Sequence, residues 1–279
     1  MRARILQAFL VLVLAAAAGY LGVAAFVWFG QESLMFFPQP VARRATPPPG
    51  WRLEDVSLDV PGAHLSGVLV LPPVRTPPLV IYFGGNAEEV TANAPLAMQT
   101  YGARAVLLVN HRGYGDSTGK PGEAAMVADG TALFDWASRR QDVDATRIAL
   151  HGRSLGTGIA VQVAAARTPA CVILTSPFAS ARGVASELYP WLPIGLLMRH
   201  PFDSQARAPS IHAPALFLIG SADDVIAPRH SQRLAAAWGG PYETVVLEGF
   251  GHNDLQLHPR YAQAIRAFLD RCQPAPPGA

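Results

Sequence analysis

The sequence commits itself most firmly at Arg147-Ile148-Ala149-Leu150-His151-Gly152-Arg153-Ser154-Leu155-Gly156-Thr157-Gly158. Ile148 to Leu150 is an apolar run of the kind a buried strand carries, and Leu155 to Ala166, rich in alanine and valine, reads as a helix. Between them stands Gly152-x-Ser154-x-Gly156. A strand that becomes a helix within so few residues leaves no room for Cβ atoms beside the turn, which accounts for both glycines. The serine at the apex takes a strained backbone conformation that exposes its hydroxyl. It also meets a helix N-terminus, whose free N–H groups favour developing negative charge. A nucleophile for acyl transfer would stand there, with Gly152 and Gly156 as its elbow.

At 279 residues the chain has room for one α/β domain with an ample core. A formal net charge of +2, with no basic cluster, argues against a nucleic-acid partner. Lys120 is the only lysine, so arginine supplies nearly all the cations, a hint of a GC-rich bacterial genome and not of function. Cys171 and Cys272 make no metal-ligand pattern. Cys171 opens an apolar run and reads as a small buried hydrophobe; whether the two pair depends on an oxidising compartment and stays open.

Arg2 and Arg4 precede an uncharged, mostly apolar segment from Ile5 to Phe29. As a helix it would measure roughly 37 Å, enough to cross a hydrocarbon layer of about 30 Å with some tilt. Small residues from Ala15 to Gly19 also suit a cleavable signal peptide. The segment nevertheless stays apolar past that point to Trp28 and Phe29, which favours an uncleaved signal anchor over 1–30. Arg2 and Arg4 adjoin the span, whereas Arg43 and Arg44 follow at a distance, so the larger C-terminal part is expected on the periplasmic side of a bacterial inner membrane. Residues 31–50, with Pro38, Pro40 and Pro47-Pro48-Pro49, read as a linker holding the domain off the membrane. Within it, Leu34-Met35-Phe36-Phe37 is apolar enough to dock on the domain or the headgroups. The domain itself is expected over 51–273 with a short excursion at 176–211, and 274–279 as a disordered tail.

Leu53–Val60 and Leu65–Leu71 alternate across Pro61-Gly62 and suggest an antiparallel hairpin. Continuous apolar strands follow at 79–83, 105–110, 148–150, 171–175, 215–219 and 244–247, with helices expected between them. The first of those helices is placed from Glu88 to Tyr101. This alternation predicts an eight-stranded, mostly parallel, doubly wound sheet with an antiparallel start.

In such a sheet, function gathers in loops at the carboxyl ends of strands. Of the eight histidines, His252 follows the last strand through Glu248-Gly249-Phe250-Gly251 and is the expected base. His64, His200 and His212 lie elsewhere, His111 shapes its own turn, and His151 sits inside the nucleophile strand. His230 reads as a surface or capping group, and His258 opens the final helix. Asp223 and Asp224 follow the preceding strand, and only one of two adjacent residues should face inward; Asp116 is a weaker contender. The N–H groups of Leu155 and Asn86 are the expected oxyanion donors.

The chain resembles the membrane-anchored, minimal-cap α/β-hydrolases, bacterial relatives of the eukaryotic single-span abhydrolase-domain proteins in the serine aminopeptidase S33-like group. The resemblance covers roughly Gln31 to Leu269. It rests on Gly85-Asn86-Ala87, Asn110-His-Arg-Gly-Tyr-Gly115, Gly152-Arg-Ser-Leu-Gly156, Leu188-Tyr-Pro-Trp-Leu-Pro193, Phe202-Asp-Ser204 and Gly251-His-Asn-Asp-Leu255. It implies Ser154 as nucleophile, Asp223 rather than Asp224 as acid and His252 as base, in the Ser–Asp–His order of that fold. The chain departs at Gly84, where such relatives usually carry histidine; a backbone donor survives the change and a side-chain anchor is lost. The expected activity is cleavage of small-molecule or lipid-like acyl esters or thioesters through an acyl-enzyme, with no metal or cofactor. An aminopeptidase-type amidase and a non-catalytic tethered binding protein are the alternatives.

Overall fold

The computed structural model describes residues 1–41, 43 and 46–274. Its first element, α1 (Arg2–Met35), is long and apolar enough to cross a membrane, and its most apolar stretch is not buried against the rest of the chain. The helix ends at Met35, five residues beyond the expected boundary. Gln31 does not stop it because the side-chain amide finds partners: Nε2 donates to the Leu197 carbonyl at 2.8 Å and Oε1 accepts from the Arg199 N–H at 2.6 Å.

The segment after α1 lies against the domain and does not hold it away. Phe36 is 3% exposed in the core, whereas Leu34 and Phe37 remain exposed. The Phe37 N–H donates to Asn86 Oδ1 at 2.9 Å, and the Gly115 N–H donates to the Gln39 carbonyl at 2.7 Å. Arg44 and the expected tail from residue 275 lie outside the described residues.

β1 (Arg52–Val60) and β2 (Ala63–Leu71) pair as the expected hairpin, turning at Gly62 with φ 77°. Next come β3 (Pro78–Phe83), β4 (Ala105–Val109), β5 (Asp144–Arg153), β6 (Cys171–Thr175), β7 (Ala215–Gly220) and β8 (Tyr242–Leu247). They form one sheet in the order β1-β2-β4-β3-β5-β6-β7-β8. The first two pairings are antiparallel and the remaining five parallel.

Helices cover both faces, and alternate strand residues feed two cores. Leu79, Ile81 and Phe83 of β3 join Leu133 of α3 (Glu123–Ala137) and Ile159 of α4 (Leu155–Ala166). Val80 and Tyr82 join Tyr101 of α2 (Ala97–Tyr101) and Ile265 of α9 (Pro259–Cys272). The helix expected from Glu88 is instead a 3-10 segment (Val90–Leu96) leading into the short α2. Pro95 lacks an N–H and so interrupts the α-helical ladder within this segment.

Between β6 and β7 the excursion is a cap of three short helices, α5 (Ala181–Leu188), α6 (Ile194–Leu197) and α7 (Ser204–Arg207), and α8 (Pro228–Ala236) follows β7. Cys171 at the start of β6 and Cys272 at the end of α9 are joined by a disulfide, with Cα atoms 6.1 Å apart. Cys171 is thus both the buried group its sequence suggested and a bonded one. A crosslink between residues 101 positions apart typically contributes on the order of 2–4 kcal/mol, in the chain-entropy account by restricting the unfolded state.

Candidate active site

β3 lies between β4 and β5, so the chain order reverses at β3, and the carboxyl ends of β3 and β5 are where a sheet of this kind places a site. Phe83 pairs with Gly152, which brings the Gly84–Glu88 loop beside the turn after β5. Ser154 sits at that turn with φ 49° and ψ −117°, at the N-cap of α4. The glycines on either side are sterically required. A Cβ on Gly156 would lie 2.0 Å from the Phe83 carbonyl oxygen, and one on Gly152 would lie 2.5 Å from the Gly156 carbonyl oxygen. The strain at Ser154 is held by the sheet: its N–H donates to the Thr175 carbonyl at 2.9 Å.

His252, in the loop after β8, brings Nε2 to 2.9 Å from Ser154 Oγ. Its Nδ1 faces the Asp223 carboxylate, 2.9 Å from Oδ2 and 3.1 Å from Oδ1. Asp223 Oδ1 also accepts the N–H groups of Val225 (3.1 Å) and Ile226 (2.7 Å), which fixes the carboxylate's rotation. Burial alone would raise the Asp223 carboxyl; hydrogen bonds from His252 and the Ile226 N–H outweigh it and hold the group below the usual carboxylate range. An ionised Asp223 accepts a hydrogen bond from Nδ1–H, leaving Nε2 free to accept one from the Ser154 hydroxyl. His252 and Asp223 are both buried, whereas the adjacent Asp224 and Asp116 are exposed.

Leu155 opens α4, and Asn86 lies in the loop after β3. Neither backbone N–H donates to another atom among the described residues. The Asn86 side chain is held from two directions. Oδ1 accepts the Tyr114 hydroxyl at 2.7 Å as well as the Phe37 N–H, and Nδ2 donates to the Met35 carbonyl at 2.7 Å. The anchor missing at Gly84 is replaced from the neighbouring loop: His111 Nε2 donates to the Gly84 carbonyl at 3.0 Å, and burial pushes the His111 ring toward its neutral form. A side chain at 84 would have no space, since a Cβ there would lie 2.4 Å from Val90 Cγ1.

Two contributors escape sequence reasoning. Arg153 Nη1 pairs with Glu88 Oε2 at 3.2 Å, and Nη2 reaches the His252 carbonyl (3.3 Å) and Asn253 Oδ1 (3.0 Å). Glu88 in turn accepts the Gly85 N–H at 2.7 Å and the Tyr82 hydroxyl at 2.7 Å. This ion pair ties together the loops carrying Asn86, Ser154 and His252. The only signal in the sequence is position, a charge next to each motif.

Four other histidines make structural contacts. His64 lies in the hairpin beside Asp59, and His258 caps α9 by accepting the Arg260 N–H at 3.0 Å. His230 corrects the expectation of a surface group: it is 2% exposed, with Nε2 3.1 Å from Glu187 Oε2. His151 is fully buried between the Tyr101 hydroxyl (2.8 Å) and Thr175 Oγ1 (2.9 Å), and desolvation pushes it down to about 3. The unfolded chain binds that proton below an ordinary histidine pKa of about 6.5, whereas the folded chain refuses it until about pH 3. Stability from this group is therefore complete above pH about 6.5 and declines toward pH 3, with a slope of up to about 1.4 kcal/mol per unit. Urea midpoints across that window should show a shallower slope for His151→Gln; an unchanged slope would remove His151 as the cause.

Among the described residues no group of three or more His, Cys, Asp or Glu side chains is arranged to hold a metal ion. The arrangement present suits attack by a serine oxygen, proton transfer through an imidazole, and stabilisation of an oxyanion by two N–H groups.

Comparison with known proteins bears on the family and the fold. Residues 78–199 match the family described as serine aminopeptidase, S33. Over 255 residues the chain is 38% identical to an uncharacterised protein of Mycobacterium tuberculosis, covering 89% of this chain and 90% of that relative. It is 29% identical over 223 residues to the human protein ABHD12B, covering 70% of this chain and 61% of that longer relative. Among solved structures it resembles the acetyl xylan esterase from Paenibacillus sp. R4, with a TM-score of 0.68 and 21% identity over 81% of this chain and 85% of the esterase. At that identity the likeness is one of fold.

Proposed function

The chain belongs to the α/β-hydrolase family, and from that premise we propose that it is a membrane-tethered serine hydrolase cleaving acyl esters or thioesters. The single observation that carries the reading is the hydrogen-bonded series Ser154 Oγ, His252 Nε2, His252 Nδ1 and Asp223. His252 takes the Ser154 proton as Oγ attacks the acyl carbonyl, and the N–H groups of Asn86 and Leu155 receive the oxyanion. The leaving alcohol or thiol departs with the proton from His252. Water, deprotonated by the same imidazole, then releases the acid and restores Ser154.

Tethering is supported by the length and apolarity of α1. The side of the membrane is supported by Arg2 and Arg4 ahead of the span and by the disulfide, which favours an oxidising, extracytoplasmic location. The aminopeptidase description of the matching family favours a second reading, cleavage of aminoacyl amides by the same residues.

The test is to label the full-length protein with a fluorophosphonate and to assay acyl esters, thioesters and aminoacyl amides side by side. Labelling confined to Ser154 and turnover of esters or thioesters are expected. Faster turnover of amides would install the second reading, and a chain that neither labels nor turns over any substrate would be a binding protein.

A further inference from the structure

An apolar concavity lies away from Ser154. It measures about 440 Å³ and runs between α1 and the cap, lined by Val23, Phe26 and Met35 on one side and by Trp191, Leu192 and Leu197 on the other. Gln31 also faces it, but both ends of its amide are already engaged by Leu197 and Arg199, so the lining makes no unmet polar demand. The two walls are fastened together at several points. The Tyr20 hydroxyl donates to the Trp191 carbonyl at 3.1 Å, Arg199 pairs with Glu32 at 3.3 Å, and the Arg199 guanidinium lies 5.8 Å from the Trp28 ring centroid.

Helix geometry places this concavity relative to a bilayer. With Arg2 and Arg4 at one face, about 20 residues carry α1 across the hydrocarbon, to an edge near position 25. Tyr20 then lies about 7 Å short of that edge. Trp191, bonded to it, lies at the same depth. The large apolar groups that the cap leaves exposed, Leu188, Tyr189, Trp191 and Leu196, would there be surrounded by lipid instead of water; Leu196 is 82% exposed. At its inner end the concavity reaches Met35, whose carbonyl holds Asn86, the oxyanion donor.

We propose that the cap dips into the bilayer and that α1 and the cap together bind one acyl chain of a membrane lipid, delivering its ester to Ser154. The proposal rests on the hydrolase reading above and adds that the anchor helix is a wall of the substrate site. An extended acyl chain fits the dimensions. A partner helix does not: at a diameter of about 10 Å, a volume of this size holds roughly one helical turn. The apolar lining suits a hydrocarbon tail and leaves the headgroup outside, near Arg199.

Two measurements on the full-length protein in phosphatidylcholine vesicles test this. In the first, kcat/KM is compared for acetyl, octanoyl and palmitoyl esters in wild type, Val27→Trp and Ala185→Trp, which fill the concavity from opposite walls. Wild type should favour the longer chains, and the palmitoyl-to-acetyl ratio should fall at least about tenfold in both variants. In the second, a phosphatidylcholine with a photoreactive acyl chain is irradiated with Ser154→Ala protein, so that binding is read without turnover. Crosslinks should fall within residues 23–35 and 185–198 and diminish in a Ser154→Ala/Val27→Trp protein. A ratio that stays constant in both variants, or lipid crosslinks that fall outside residues 23–35 and 185–198, would overturn the proposal while leaving the hydrolase reading intact. Absence of turnover and of Ser154 labelling in wild type would instead take down that reading, and delivery to Ser154 with it.

Discussion

Ser154→Ala should lower ester turnover by about 10⁶-fold, close to the loss seen when a serine-hydrolase triad loses its nucleophile. Without Oγ, no covalent intermediate forms, and water must attack the carbonyl in a site built to hold a serine oxygen. What should survive is the contribution of the proposed oxyanion donors, the Asn86 and Leu155 N–H groups, which the substitution does not touch. The variant should fold normally, because alanine and serine pay a comparable penalty at φ 49° and the flanking glycines are unchanged. His252→Ala should cost about as much, since the two side chains share one proton transfer across 2.9 Å. The double variant is the stringent measurement: its turnover should match that of the single variants. Multiplicative losses would mean that the two residues act separately, and that the hydrogen bond joining them is incidental to the chemistry.

The second large effect concerns the carboxylate. Asp223→Asn should reduce kcat by about 10⁴-fold at neutral pH while leaving the fold intact. The reason lies in how the carboxylate is already committed. Its Oδ1 accepts the Val225 and Ile226 N–H groups, so an asparagine must keep its oxygen there and turn its NH₂ toward His252 Nδ1. Nδ1 then becomes the acceptor, the ring proton moves to Nε2, and Nε2 can no longer take the proton of Ser154. The adjacent Asp224→Asn provides the comparison, because Asp224 is exposed and its loss should leave kcat within about twofold of wild type, as for most surface substitutions. If the two variants exchanged phenotypes, the carboxylate would have been assigned to the wrong residue.

These residues could be named from the sequence because each follows a strand. Ser154 stands immediately after β5, and Asp223 and His252 stand in the loops that follow β7 and β8, so a parallel sheet delivers all three to one edge. Contacts that join one loop to another left no such trace. Glu88 and Arg153 are 65 residues apart, and nothing in an isolated charge says which partner it will meet. The pairing of Cys171 with Cys272 likewise requires α9 to pack against β6, a fact of tertiary structure and not of spacing. The end of α1 lies beyond its expected boundary for a related reason. Gln31 and Glu32 look like the close of an apolar run, yet their partners lie more than 160 residues away on the cap. The helix expected from Glu88 is interrupted at Pro95, which has no N–H to continue an α-helical ladder.

The bonds from Met35 and Phe37 to Asn86 also bear on how a soluble preparation would behave. Trimming the chain behind Phe37 to obtain a detergent-free fragment deletes two of the groups that orient the Asn86 side chain and pulls Phe36 out of the core. The triad would survive such surgery untouched while the loop opposite it lost its support. A fragment that labels sluggishly and turns over little would then report the damage of its own preparation, and would say nothing against the intact chain.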